Sequence, residues 1–151
     1  MNCYFDTSAL IKNYIEETGS ETVSNLLNAA DAVFVSELTL TECFSTLRRL
    51  LLEARISENA YAHVKDEIRR DFAYFTRVDI GEALPECEKL IDLHQLKTLD
   101  SIQLASSLRV RTEIRYFVCC DQRLLTAAVK EQLSTIDPYA EEAKQHYTSL
   151  E

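Results

Sequence analysis

Two hydrophobic periods alternate along this chain, and the switches between them mark its elements. Asn2 to Phe5 is an apolar run of strand length, and between Thr7 and Glu17 the residues Ala9, Leu10, Asn13 and Tyr14 fall at helical spacing. Gly19 and Ser20 stop that helix and cap a second one, from about Glu21 to Ala29, after which Val33 to Val35 predicts a second strand. From Leu38 to Glu53, the positions Leu40, Cys43, Phe44, Leu47, Leu50 and Leu51 form the stripe of a core-facing helix. Glu42 lies at the edge of that stripe, where a carboxylate can reach a cleft without entering the core. Ser57 caps a further helix with Ala60, Val64, Ile68 and Phe72 on one face. Arg77 to Ile80 predicts a third strand, Glu82 to Leu93 a shorter helix, and Thr98 the cap of a helix reaching about Val110. Tyr116 to Cys119 predicts a fourth strand, Gln122 to Glu131 a helix, and Thr135-Ile136 a minor last strand before the Asp137-Pro138 turn.

Strands separated by helices imply a parallel sheet, because parallel neighbours need crossover connections, and these wind right-handed with helices on both faces. The expected class is therefore α/β. A chain of 151 residues suits one compact domain that buries roughly 70% of its unfolded surface. The polar segment from about Pro138 onward is expected as a loosely attached helical tail. With only 2 Gly and 2 Pro, the chain has no Gly-rich phosphate loop and no Pro-rich linker, and it shows no repeat.

The formal net charge of -9 argues against a broad basic face for gripping nucleic acid. It does not exclude a nucleic-acid substrate, because cations gathered by carboxylates reverse the local charge. The 5 cysteines are odd in number, lack C-x-x-C spacing and mostly interrupt apolar runs, the pattern of buried free thiols in a reducing compartment. Neither a basic leader nor a long apolar span is present, so the expected location is the cytoplasm with no membrane contact.

Four acids stand at strand ends or in opening helical turns: Asp6, Glu42, Asp100 and Asp121. In an open parallel sheet such positions converge on the crevice beyond the carboxyl ends of the strands. The helix dipole favours ionised Asp6, Asp100 and Asp121, which suits hard-oxygen ligands. Clustered carboxylates repel until some protonate or a cation binds, and Mg²⁺ or Mn²⁺ matches carboxylate and water ligands. His63, His94 and His146 are scattered and offer no zinc pattern. Taken singly, Asp6, Asp100 and Asp121 are better explained as helix caps and Glu42 as an exposed helix charge; the joint pattern carries the reading.

Four segments in order resemble the PIN domain family, and within it the VapC-like toxins of toxin-antitoxin pairs. They are Tyr4-Phe5-Asp6-Thr7-Ser8-Ala9-Leu10-Ile11-Lys12, the stretch Ser36 to Glu42, Thr98-Leu99-Asp100-Ser101-Ile102-Gln103-Leu104-Ala105, and Phe117 to Leu124 around Asp121. The likeness spans nearly the whole chain. It implies a three-layer α/β/α sandwich and a Mg²⁺- or Mn²⁺-dependent endoribonuclease that leaves 5′-phosphate and 3′-hydroxyl ends. It also implies a homodimer and neutralisation by a small antitoxin protein. On this basis Asp6, Glu42, Asp100 and Asp121 are the expected metal ligands and catalytic set, with metal-assisted hydrolysis of a phosphodiester as the reaction. Family members commonly carry Thr or Ser two residues before the last acid, where this chain has Cys119.

Ser8 is a candidate contact to substrate or a metal-bound water, or a hydroxyl that satisfies its own helical turn. Lys12, Arg48, Arg49 and Arg123 are candidate phosphate contacts; Arg48 and Arg49 stand out because they lie within two turns of Glu42 on one helix. Three other readings compete. Asp6 as a phosphorylated nucleophile lacks the second acid of a D-x-D motif, since Ser8 occupies that place. Cys87 or Cys120 paired with His94 would make a thiol nucleophile. The third is a PIN-like protein-binding module with weak or no hydrolysis.

Overall fold

A computed structural model describes residues 1–148. Five strands, β1 (Asn2–Phe5), β2 (Ala32–Ser36), β3 (Thr76–Val78), β4 (Tyr116–Val118) and β5 (Thr135–Ile136), pair in parallel in the order β3-β2-β1-β4-β5. The connections run outward from β1 in both directions, so the strand order reverses between β1 and β4. This is the switch point at which a crevice opens beyond the strand ends.

Alternation along each strand builds two cores. Cys3, Phe5, Val35 and Val118 point to one face of the sheet, while Tyr4, Phe34 and Phe117 point to the other. The first face is covered by α1 (Thr7–Leu10), α2 (Ser20–Ala29), α3 (Leu38–Leu52) and α4 (Glu58–Phe72), through Leu10, Val23, Leu47 and Ile68. The second is covered by α5 (Ile80–His94), α6 (Thr98–Arg109) and α7 (Gln122–Lys130), through Leu90, Leu104 and Leu124. The result is the three-layer α/β/α sandwich. Tyr4 and Phe117 stack at 5.6 Å on adjacent strands.

Several expected boundaries move for local reasons. The helix expected over Thr7 to Glu17 ends at Leu10 and tightens into a 3-10 turn at Ile11–Asn13. The third strand is Thr76–Val78, because Asp79 caps α5 by accepting from the Glu82 amide at 3.3 Å and so draws Ile80 into the helix. Thr98 is the first residue of α6, not its cap; Lys97 holds the cap position without a side-chain bond. Ser57 does cap α4, accepting from the Ala60 amide at 3.1 Å.

The segment from Pro138 forms α8 (Pro138–Thr148). It is anchored instead of hanging loose: the Gly19 amide donates to Glu142 Oε2 at 2.6 Å, and Gly19, at φ 98°, lies against the Pro138 carbonyl carbon. Among the described residues no helix is long and apolar enough to cross a membrane.

Candidate active site

Parallel register assembles the site. Pairing Phe5 with Val118 sets Asp6, one residue past β1, beside Cys119, one residue past β4. Asp6 caps α1 and Asp121 caps α7, the latter accepting from the Leu124 amide at 2.9 Å. Glu42 comes from the second turn of α3 and Asp100 from the first turn of α6. All four acids line one open cleft of about 570 Å³ at the switch point.

Asp6 is buried, and desolvation pushes its carboxyl up to about 6, with the Glu42 charge adding and the Ser8 hydroxyl opposing. The helix-dipole expectation fails here for a structural reason: α1 has only four residues, so its dipole is weak against burial. Asp100 is also raised, by burial first and then by the charges of Asp121 and Glu42, while Lys97 and Arg123 pull it down.

Ser8 Oγ donates to Asp6 Oδ2 at 2.6 Å and accepts from the Cys120 amide at 3.0 Å, so it ties the ends of β1 and β4 together. Its proton is spent within the protein. Cys119 is fully buried, with its sulfur 3.5 Å from Asp6 Oδ2 and receiving the Asp121 amide at 3.3 Å. Burial and the Asp6 charge raise its pKa, so the group against Asp6 is a neutral thiol.

The candidate cations separate by position. Arg49 lines the cleft, whereas Arg48 lies on a different surface hollow beside Ala54 and Ser57. Lys12 is buried and committed to Glu17 at 3.0 Å and the Thr18 carbonyl at 2.8 Å, which removes it from substrate reach. Arg123 stands outside the cleft lining but close enough to act electrostatically on Asp100. Cys87 donates to its own helix at Ala83, and His94 pairs with Glu131 at 2.7 Å, so neither Cys87 nor Cys120 forms a bond to His94.

Two participants were not expected. Gln103, fully buried on α6, donates to Glu42 at 2.7 Å; its signal in the sequence is a large amide inside the apolar run Ile102 to Ala105, one turn after Asp100. Arg55 joins Arg49 along the cleft, both paired to Glu53 at 3.6 and 3.4 Å. Arg55 arrives there because Ala54 adopts φ 55°, a left-handed helix end in which the Arg55 amide reaches back to the Leu50 carbonyl. No periodicity in the sequence announces that turn.

The donor set suits a hard divalent cation. It consists of carboxylate oxygens, and among the described residues none of the four acids is in an ion pair. As they stand, no three acidic, imidazole or thiol groups among the described residues close tightly enough to cage an ion by themselves, so water would complete any coordination shell.

Fold and cleft together define an α/β protein with an acidic site at its topological switch point. The PIN domain model matches residues 3–130, and the chain belongs to that family. It is similar to Ribonuclease VapC45 of Mycobacterium tuberculosis, with 29% identity over 126 residues that cover 83% of this chain and 88% of the relative. Among solved structures it resembles a toxin-antitoxin complex from Klebsiella pneumoniae (TM-score 0.65, 17% identity, 91% of this chain and 98% of the other). It also resembles Mycobacterium tuberculosis VapC20, a Sarcin-Ricin loop cleaving toxin (TM-score 0.64, 15% identity, 83% and 94%).

Proposed function

We propose that this chain is a Mg²⁺- or Mn²⁺-dependent endoribonuclease acting as the toxin of a toxin-antitoxin pair. The observation that carries this reading is the convergence of Asp6, Glu42, Asp100 and Asp121, none of them ion-paired among the described residues, on one cleft of a PIN domain. These four would hold the cation, which when bound supplies Lewis acidity to a phosphodiester and a water of lowered pKa.

The chain's own residues do the rest. Ser8 holds Asp6 in place through its 2.6 Å bond, and the Cys119 thiol closes the space behind it. Arg49 lies seven residues beyond Glu42 on α3, about 10 Å along the helix axis, and with Arg55 gives the RNA backbone a cationic track leading from the acids. Leu38, Leu50 and Leu99 supply apolar wall against which sugars and bases lie. The relay from Arg49 and Arg55 to the cation reconciles an RNA substrate with a net charge of -9.

The VapC-named relative and the Klebsiella complex support an antitoxin partner. Residues 1–151 would act as one domain, with α8 extending past the matched segment and packing near Gly19. The unpaired cysteines, four of them buried, suit a cytoplasmic home, and a homodimer is the assembly expected of the family.

The test is cleavage of total cellular RNA by purified protein with Mg²⁺ or Mn²⁺, with EDTA, and beside Asp100→Asn. Cuts that need metal and vanish in the variant support the reading. Equal patterns from wild type and variant would assign the cuts to a contaminant and remove it.

A further inference from the structure

Every element that carries one of three of the acids also touches a single buried side chain. Gln103 sits one helical turn after Asp100 on α6 and is 1% exposed. Its Nε2 lies 2.7 Å from Glu42 Oε1, 3.0 Å from Thr39 Oγ1 and 3.2 Å from Thr7 Oγ1. Its Oε1 accepts from the Tyr4 hydroxyl at 2.7 Å, two residues before Asp6 on β1. A carboxylate only accepts, so an amide turned the other way would set oxygen against oxygen at Glu42 and leave the Tyr4 hydroxyl without its acceptor. The orientation of the amide is thereby determined by both neighbours at once.

The consequence falls on Glu42. Its Oε1 takes two donors, the Gln103 amide and the Thr7 hydroxyl at 2.9 Å, while among the described residues Oε2 takes none. One oxygen is locked and the other is left for an incoming group. A long side chain on a partly exposed stretch of α3 would otherwise sample several rotamers, and each would have to be given up on ligation.

We propose that Gln103 is a positioning residue for Glu42, holding that carboxylate ready for a divalent cation through the Tyr4-Gln103-Thr7-Thr39 network; the inference rests on the metal-dependent nuclease reading above. Groups that orient metal ligands from behind commonly set metal affinity by about 10- to 100-fold.

Gln103→Leu alone leaves the Tyr4 hydroxyl buried without an acceptor and threatens the fold, so the decisive variant is the pair Gln103→Leu with Tyr4→Phe. The pair removes the Gln103 amide together with the Tyr4 hydroxyl that would be stranded by its loss, and leaves Glu42 with its Thr7 donor alone. Wild type, Tyr4→Phe, the double variant and Glu42→Gln are compared by calorimetric titration with Mn²⁺ and by RNA cleavage kinetics. We expect the double variant to melt near Tyr4→Phe, to bind Mn²⁺ at least about 10-fold more weakly than Tyr4→Phe, and to lose kcat with KM for RNA unchanged. Wild-type Mn²⁺ affinity and kcat in the double variant, with Glu42→Gln impaired, would overturn the role of Gln103 alone. Wild-type Mn²⁺ affinity and cleavage in Glu42→Gln would overturn the ligand role of Glu42 and the inference with it.

Discussion

The Ser8 hydroxyl donates to Asp6 Oδ2 at 2.6 Å, yet burial outweighs that bond and pushes the Asp6 carboxyl up to about 6. Asp6 therefore works against the metal-free fold at neutral pH. Relative to an unfolded value of 3.8, the raised pKa contributes stability that is complete below about 4 and lost as pH rises through about 6. The size is about 3 kcal/mol. Asp6→Asn keeps a capping side chain and discards the charge. In EDTA at pH 7 the variant should be more stable than wild type and should show a flatter stability profile between pH 4 and 7, while cleaving no RNA. Denaturant titrations across that range check it, and a variant less stable than wild type at pH 7 would contradict the burial argument.

Cation binding should reverse the same penalty. Mn²⁺ at 100 times its dissociation constant would stabilise the wild-type fold by about 2.7 kcal/mol, seen as a rise in melting temperature that EDTA abolishes. Asp121→Asn, which retains the cap of α7, should lose most of that rise and the cleavage together.

Arg49 and Arg55 share Glu53 at the far end of the cleft, whereas Arg48 faces elsewhere. Arg49→Ala and Arg55→Ala should each raise KM for RNA several-fold, leave kcat within about twofold, and flatten the salt dependence by about one phosphate contact, a slope change near 0.7. Arg48→Ala should change none of these. Lys12→Met should lower the melting temperature instead, since it strands Glu17 and the Thr18 carbonyl.

Ala54 stands at φ 55°, where an L side chain costs roughly 1 kcal/mol that glycine avoids. Ala54→Gly should therefore stabilise the protein by up to about 1 kcal/mol without moving Arg55, so KM should hold. A loss of stability on thermal melting would count against the strain.

Cys119 is fully buried and its thiol is held neutral, and Cys120 is pushed up to about 12, chiefly by burial. Brief treatment of the native protein with iodoacetamide at pH 7 should leave metal-dependent cleavage intact. Rapid inactivation would point back to a thiol nucleophile.

The period of the apolar residues was enough to place most elements of this fold. Strands such as Asn2–Phe5 and helices such as Leu38–Leu52 are local consequences of side-chain pattern, and the order of strands and helices already implies a parallel sheet. Asp6, Asp100 and Asp121 were legible as positions after a strand or in a first helical turn, and Glu42, in the second turn of α3, as the edge of an apolar stripe; each is a statement about neighbours in sequence. The early end of α1 and the inclusion of Ile80 in α5 were less so, since competing caps decide boundaries.

What only the tertiary structure decided is who meets whom across the sheet. Arg48 and Arg49 are adjacent in sequence, but the rotation of about 100° between successive residues of α3 sends them to different surfaces. Lys12 reads as an available cation until the Glu17 loop folds over it. Asp6 reads as a capped, ionised acid until two packed layers exclude water from it and raise its pKa. Gln103 is separated from Glu42 by 61 residues and from Tyr4 by 99, so no local pattern could show that its amide joins β1, α3 and α6. Local pattern sets each residue's backbone conformation and face. Burial, long-range pairing and the charge environment exist only once the sheet has closed around them.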